Sequence, residues 1–343
     1  MLNKRKEIGS EFWFKNDLPQ PISEREGVYV LSGRTAIDLI IQDIQKTRKI
    51  QNVYMPAWCC DSMLSPFIDK GINVNLYDIR LGNQLEYLVD ESKYADIFYV
   101  TNYFGYNNTI SPAVIKHFKA KGSIIIYDRT HSFLMDDEGV EADYTFASIR
   151  KWMDVIDGAI VKGVSGNSLK QCPYLSSRIM AMRMKQAFIN GDDTIDKQVF
   201  LNLYNEFGHH LEGDYRDYSM DDLSYAIYKA ADISEMKVKR RENAAYLQQN
   251  LNLQFLAPLS EKACPLFVPV FFESKDHRDL IRKKLVEADI YCTVHWSKNQ
   301  LITSEMEVNR IFDTELSLIC DQRYGLSDMQ HAVEVLSRLE NTL

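Results

Sequence analysis

An aspartate and a lysine follow two successive predicted strands near the middle of the sequence. The apolar run 124–127 leads into Asp128, and the shorter run 144–147 leads into Ser148 and then Lys151. Ligands of open α/β sheets bind at the carboxyl ends of strands, so the acid and the lysine can converge on one small ligand. The alternative is a surface ion pair between two solvated side chains.

One cofactor needs both kinds of side chain together. Pyridoxal 5'-phosphate (PLP) forms a Schiff base with a lysine amine, and it needs a carboxylate that keeps its ring nitrogen protonated. Asp128 and Lys151 therefore make a PLP site the first hypothesis for this stretch.

A turn near the N-terminus has the residue types of an anion site. The turn Ser32-Gly33-Arg34-Thr35 precedes residues 37–44, which carry apolar side chains at helical spacing. Glycine lets the backbone approach an anion, and the N–H groups and dipole of a helix N-terminus face it. Arg34 and the hydroxyls of Ser32 and Thr35 can add contacts to phosphate oxygens. Ordinary capping of the helix is the alternative.

Trp58 follows the predicted strand 52–56 at a strand-to-helix junction. A tryptophan in this position is free to lay its face over a flat ligand ring, and core packing is the alternative.

The elements that must position these residues alternate between strand and helix as far as residue 158. Such alternation predicts a mostly parallel, doubly wound α/β sheet. A dinucleotide fingerprint, a phosphate-binding P-loop and a nucleophile elbow are absent from the sequence. After residue 264 the pattern changes to a small α+β arrangement. We therefore predict a large α/β domain over residues 1–235 and a small C-terminal domain with its linking helix over residues 236–343.

Composition excludes several classes of function. The 343 residues carry a formal net charge of −8, so a nucleic-acid partner is not indicated. The six cysteines show no paired spacing, which predicts free thiols in a reducing cytosol and no metal site. The sequence contains no secretory signal and no apolar run of membrane-spanning length. We expect a cytoplasmic protein without a membrane partner.

The order of the turn, the aromatic residue, the aspartate and the lysine resembles that of the fold-type I PLP enzymes. Among them it looks like the DegT/DnrJ/EryC1/StrS family of sugar aminotransferases. The family's Ser-Gly-Thr turn appears at residues 32–36 and its strand-Pro-x-aromatic segment at 55–58. Its Asp-x-x-Gln/His appears at 128–131, and its strand-then-lysine segment at 146–151. The similarity extends over the whole length of the chain.

The lysine segment departs from the family pattern, which is Ser-Phe-x-x-x-Lys followed by Gly-Gly. If Thr145-Phe146 is matched with Ser-Phe, the lysine position falls on Arg150, one residue before Lys151. An arginine stays protonated and cannot form an imine. We therefore infer a one-residue slip, in which Ser148 and Lys151 supply what Ser and Lys supply in the family. The Gly-Gly pair is reduced to Gly158-Ala159.

The resemblance implies a role for each candidate residue. Lys151 forms the Schiff base and then acts as general acid and base, Asp128 keeps the ring nitrogen protonated, and His131 binds the phenolic oxygen of PLP or orients Asp128. Trp58 covers the ring. The implied phosphate contacts are Ser32, Gly33, Arg34, Thr35 and Ser148. For His131, helix capping is the alternative.

His295 and Arg323 are candidates for binding the substrate, with packing as the alternative. The implied reaction moves an amino group from an amino acid to a keto-sugar on a nucleotide carrier, in an enzyme that is a homodimer. A PLP-dependent lyase or dehydratase of the same fold is an alternative, although it would use a histidine-like base. A catalytically degenerate protein kept for regulation or assembly is another.

Overall fold

The computed structural model describes residues 7–15, 17–106, 108–136, 139–165 and 168–340. Internal contacts divide the chain into two compact units. The first unit comprises Met1–Arg48 and Phe146–Ala231, and the second comprises Lys49–Thr145 and Asp232–Leu343. The last segment of the second unit begins close to the predicted start of the C-terminal domain at residue 236. The predicted division into domains stays a prediction.

The secondary structure of the described residues follows the alternating pattern of the sequence. The strands are β1 (Ile8–Gly9), β2 (Val28–Val30), β3 (Asn52–Pro56), β4 (Asn73–Leu81), β5 (Leu85–Leu88), β6 (Ile97–Thr101), β7 (Ile124–Asp128), β8 (Tyr144–Ser148), β9 (Ala159–Lys162), β10 (Gln254–Phe255), β11 (Val268–Phe271), β12 (Ile290–Tyr291) and β13 (Glu315–Leu318). The helices are α1 (Gly33–Gln45), α2 (Asp61–Ile68), α3 (Pro112–Ala120), α4 (Ser176–Ile189), α5 (Lys197–Gly213), α6 (Asp222–Ala230), α7 (Ile233–Asn250), α8 (Lys275–Glu287), α9 (Asn309–Thr314) and α10 (Leu326–Glu340).

The second unit contains a mostly parallel sheet with the strand order β7-β6-β3-β4-β5. The pairs β7/β6, β6/β3 and β3/β4 are parallel, and the edge pair β4/β5 is antiparallel. All five residues of β6 are buried, as expected for a strand covered on both faces of an α/β sheet. The mixed α/β fold with a mostly parallel sheet is confirmed. Because β6 and β7 run parallel in the register Thr101↔Asp128, their last residues lie at one sheet edge.

The C-terminal part of the second unit holds a smaller antiparallel sheet, β10-β11-β13. Helix α7 packs against α10, and its residue Arg240 is fully buried. The Arg240 guanidinium donates to Gln322 Oε1 at 2.8 Å and to the carbonyl of Leu266 at 3.0 Å. A buried cation costs free energy unless its donors are satisfied, so these bonds are required to hold this arrangement.

In the first unit, β2 pairs antiparallel with β9, and helices α4 and α5 pack against each other. Gly158 lies just before β9 with φ +128°, a conformation that side chains rarely adopt. Its N–H donates to the carbonyl of Leu31, and its carbonyl accepts from Ile149 and Arg150. These bonds fix the short 3₁₀ turn Ile149–Lys151 that follows β8.

None of the described helices is long and apolar enough to cross a membrane. None of the described histidine, cysteine, aspartate and glutamate side chains form a group of three or more that could hold a metal ion.

Candidate active site

Asp128 ends β7 as a buried carboxylate with two donors. The hydroxyl of Tyr99 donates to Oδ2 at 2.8 Å, and the backbone N–H of Thr130 donates to Oδ1 at 2.7 Å. Tyr99 is fully buried, and this burial together with the Asp128 charge raises the pKa of Tyr99 well above its ordinary value. The Tyr99 hydroxyl therefore stays protonated and remains a donor. Both bonds favour the charged form of Asp128.

Tyr99 was not predicted from the sequence as a site residue. One signal could have found it. Residues 99 and 101 share a face of β6, and a parallel neighbour brings that face beside Asp128.

His131 lies three residues after Asp128 in a cluster of rings within the second unit. Its ring centroid is 4.6 Å from that of Phe104, and it is stacked on Trp296 at 5.5 Å. The ring of His295 meets it nearly at a right angle, with centroids 5.7 Å apart. We call these four residues and Trp58 the aromatic cluster. The cluster unites three residues that lie far apart in the sequence and were each predicted as site residues: Trp58, His131 and His295.

Trp58 joins the cluster through both its ring and its indole nitrogen. The indole N–H donates to the backbone carbonyl of His295. Its ring stacks on Tyr103 at 4.5 Å and meets the edge of Trp296 at 6.0 Å. The side chain is fully buried. Packing among aromatic side chains is therefore its observed state, and its predicted place over a cofactor ring stays a prediction.

Arg323 forms a bidentate ion pair with Asp321, two residues earlier in the same loop. Its Nε and Nη2 atoms donate to the two carboxylate oxygens of Asp321 at 2.9 and 2.8 Å. Burial works to raise the pKa of Asp321, but the charges of Arg323 and Arg240 outweigh burial, and that pKa is lowered. The charge of Arg323 is thus already balanced by a carboxylate. Its predicted contact with substrate stays a prediction.

Lys151 ends the 3₁₀ turn of the first unit and is half-buried. The preceding residue, Arg150, takes a different environment, with its guanidinium 6.0 Å from the ring of Phe207. Burial and the nearby charge of Arg178 lower the pKa of Arg150 to about 10. Arg150 therefore remains a cation at neutral pH and cannot replace the lysine.

The predicted phosphate turn opens helix α1. The Ser32 hydroxyl caps the helix by accepting the N–H of Thr35 at 3.2 Å. The Thr35 hydroxyl donates to the carbonyl of Tyr215 at 2.7 Å, and Arg34 donates to the carbonyl of Leu211 at 2.6 Å. These side chains thus form hydrogen bonds within the protein. The Ser32 hydroxyl caps helix α1, which is the alternative given for this turn. Their predicted phosphate contacts stay predictions.

The backbone of this turn nevertheless has the features that an anion requires. Within the described part of the chain, no hydrogen bond uses the backbone N–H groups of Gly33 and Arg34, and the first turn holds no acidic residue. A Cβ atom added at Gly33 would lie 3.6 Å from Cβ of Ser148. Ser148 therefore lies next to the turn, and its predicted contact with phosphate stays a prediction. Two unpaired N–H groups at a helix N-terminus fit a phosphate group.

Comparisons with known proteins identify the fold. No protein-family model and no curated protein matches the sequence. Among solved structures, PseC of Helicobacter pylori, an aminotransferase of pseudoaminic acid biosynthesis, aligns with a TM-score of 0.66 at 13% identity, covering 93% of this chain and 88% of its own. Spr1654 of Streptococcus pneumoniae, solved in apo, PLP and PMP forms, aligns in its PLP form with a TM-score of 0.64 at 15% identity, covering 92% and 87%.

A third solved structure, DesI with its TDP-sugar product, aligns with a TM-score of 0.63 at 15% identity, covering 91% of this chain and 80% of its own. At these identities the likeness establishes the fold. The chain has the fold that these aminotransferase structures share.

Proposed function

We propose that this chain is a PLP-dependent aminotransferase that moves an amino group from an amino acid to a keto-sugar, with the sugar carried on a nucleotide. The observation that carries the proposal is Asp128, a buried carboxylate at the end of a parallel strand that is held by two hydrogen-bond donors. Bound PLP supplies an electron sink for amino-group transfer when a carboxylate keeps its ring nitrogen protonated.

The residues of the chain divide the remaining tasks. Asp128 holds the proton at the ring nitrogen. Lys151 holds the cofactor covalently and then moves a proton at its Nζ atom. The free N–H groups of Gly33 and Arg34 bind the phosphate, and Ser148 lies beside them.

The ring-facing roles go to the aromatic cluster. Trp58 covers the cofactor ring, and His131 binds its phenolic oxygen. The sugar acceptor and its nucleotide carrier are supported by the likeness of the fold to DesI, which was solved with a TDP-sugar product. Amino-group transfer through the cofactor is supported by the fold's likeness to Spr1654, which was solved in both PLP and PMP forms. We further propose a cytoplasmic homodimer.

The choice of Lys151 over position 150 is supported by the environment of Arg150. Its guanidinium lies over Phe207 and shares its surroundings with Arg178. Arg150 therefore contributes to packing within the first unit. The inferred one-residue slip therefore leaves Lys151 as the amine for the cofactor.

The test is the visible absorbance of the purified protein with added PLP, for the wild type and for Lys151→Ala and Lys151→Arg. We expect a protein-bound cofactor band in the wild type and not in the two Lys151 variants. Borohydride reduction should then add the mass of the cofactor to the peptide that contains Lys151, as read by mass spectrometry. The matched control Arg150→Gln should keep the band.

A double variant, Arg150→Lys with Lys151→Ala, examines the slip directly. If Lys151→Ala alone keeps the band, Lys151 is wrong; if the double variant regains a band that Lys151→Ala has lost, a lysine at position 150 also reaches the cofactor and the one-residue slip is not needed. If the wild type shows no band and no mass addition, the proposed aminotransferase function is wrong. Conversion of the band by amino acids, followed by its return with keto-sugars, tests the two half-reactions.

A further inference from the structure

Two polar residues of β13 are buried inside the second unit. Glu315 and Ser317 are both fully buried. Alternate residues of a strand point to the same face, so these two side chains lie side by side, with Leu316 and Leu318 on the other face. A carboxylate without contact to water needs hydrogen-bond donors. The donors of Glu315 therefore indicate its role.

The donors come from Ser317 and from His295. The Ser317 hydroxyl donates to Oε1 of Glu315 at 2.5 Å, and the backbone N–H of His295 donates to Oε2 at 2.7 Å. The Nδ1 atom of His295 lies 2.9 Å from the Ser317 oxygen. A hydroxyl carries one hydrogen, and this one is given to Glu315. Ser317 must then accept from His295, so the imidazole carries its proton on Nδ1.

His295 is anchored at three points. Its ring is held by Ser317, its N–H by Glu315, and its carbonyl by the indole N–H of Trp58. The ring meets that of His131, with the centroids 5.7 Å apart. Glu315 thus sets the position of a residue that contacts both Trp58 and His131, the two residues proposed to face the cofactor ring.

We propose that Glu315 is a positioning residue of the active site. Acting directly on the main chain and through Ser317 on the ring, it holds His295 in one orientation and as the Nδ1–H tautomer. Trp58 and His131 are set against this fixed residue. We call Glu315, Ser317 and His295 the relay. The relay deepens the proposed function, because its purpose rests on the roles proposed above for Trp58 and His131.

The first experiment reads the tautomer by ¹⁵N NMR of histidine-labelled protein, with the His295 signals assigned from a His295→Gln variant. At the alkaline end of the titration, where the ring is neutral, we expect the wild type to carry its proton on Nδ1. Glu315→Gln reverses this pattern. The amide keeps its oxygen toward the N–H of His295 and turns its NH₂ group toward Ser317, whose hydroxyl then donates to Nδ1. The proton of the imidazole should therefore move to Nε2.

The second experiment measures PLP binding by absorbance titration. Ser317→Ala removes one buried hydrogen bond to His295 and should raise the Kd for PLP roughly two- to tenfold. Ser317→Thr keeps the hydroxyl and should restore the affinity. Thr314→Val is the matched control, because Thr314 is a buried hydroxyl in the same segment that donates to the carbonyl of Arg310 and does not touch His295.

The two experiments separate two failures. An Nε2–H tautomer in the wild type, or an unchanged tautomer in Glu315→Gln, overturns the relay. Equal PLP affinity in Ser317→Ala and the wild type overturns its positioning role. If the wild type takes up no PLP at all, the proposed function fails and the positioning role falls with it. The tautomer of His295 then still decides whether the relay itself exists.

Discussion

Replacing Tyr99 by Phe removes the hydroxyl that donates to Asp128 and leaves the ring in place. The bond is 2.8 Å long, its acceptor is a carboxylate, and the donor residue is fully buried. A hydrogen bond to a charged group contributes about 1.5–3 kcal/mol to stability, whereas a bond between neutral groups contributes about 0.5–1.5 kcal/mol. Tyr99→Phe should therefore lower the free energy of unfolding by about 1.5–3 kcal/mol.

Tyr77 supplies a matched control on a strand of the same sheet. Its hydroxyl donates to the backbone carbonyl of Tyr99 at 2.9 Å, and the side chain is equally buried. Tyr77→Phe removes the same atom with a neutral acceptor, so its cost should be about 0.5–1.5 kcal/mol. Burial raises the pKa of both tyrosines well above the ordinary value, so both donate at every pH of practical use.

The assay is urea unfolding followed by far-UV circular dichroism, with the PLP affinity of each variant measured in parallel. Tyr99→Phe should lose more stability than Tyr77→Phe and should also bind PLP more weakly, because Asp128 loses a bond that orients it. If Tyr99→Phe costs no more than Tyr77→Phe, the Asp128 carboxylate is not held as a charge by Tyr99, and the reasoning is refuted.

Two further predictions concern one feature in each unit. Burial raises the pKa of Asp157 from 3.8 to about 7, so the folded chain keeps a proton that the unfolded chain has lost between these values. Stability should fall as the pH rises through this range, Asp157→Asn should flatten the dependence of the urea midpoint on pH, and an unchanged slope would contradict the assignment. Gly105 and Gly71 both have φ near +70°, but a Cβ atom at Gly105 would lie 2.1 Å from the carbonyl oxygen of Cys264, while one at Gly71 meets nothing within 4 Å. Gly71→Ala should cost about 1–3 kcal/mol, and Gly105→Ala should cost more; equal urea midpoints would show that the loop yields freely.

The apolar runs at 97–100 and 124–127 made the parallel core of the sheet predictable. Side chains buried on both faces leave a continuous apolar signal in a sequence, and β6 and β7 carry that signal. Asp128 at the end of such a run stood out for the same reason. The α/β fold could therefore be predicted from the hydrophobic pattern of the sequence alone.

Strand β13 was not predicted, and the burial of its polar residues cannot be recognised from its sequence pattern. Its alternation of Glu, Leu, Ser and Leu is the pattern of a strand with one solvent-exposed face, yet all four residues are buried. Burial of Glu315 depends on donors from His295 and Ser317, and a partner 20 positions away in the sequence leaves no periodic signal. The meeting of Trp58, His131 and His295 was likewise set by chain topology, which periodicity does not reveal.

The two compact units are interleaved along the chain, since each is assembled from two separate segments. During synthesis, Met1–Arg48 leaves the ribosome long before Phe146–Ala231, the segment that completes its unit. The second unit likewise waits for Asp232–Leu343. Neither unit can finish folding while the chain is half made, so a truncated product ending near residue 145 would expose unfinished apolar surface from both. Fragments cut at that point should aggregate, whereas co-expression of complementary fragments offers each unit its missing half.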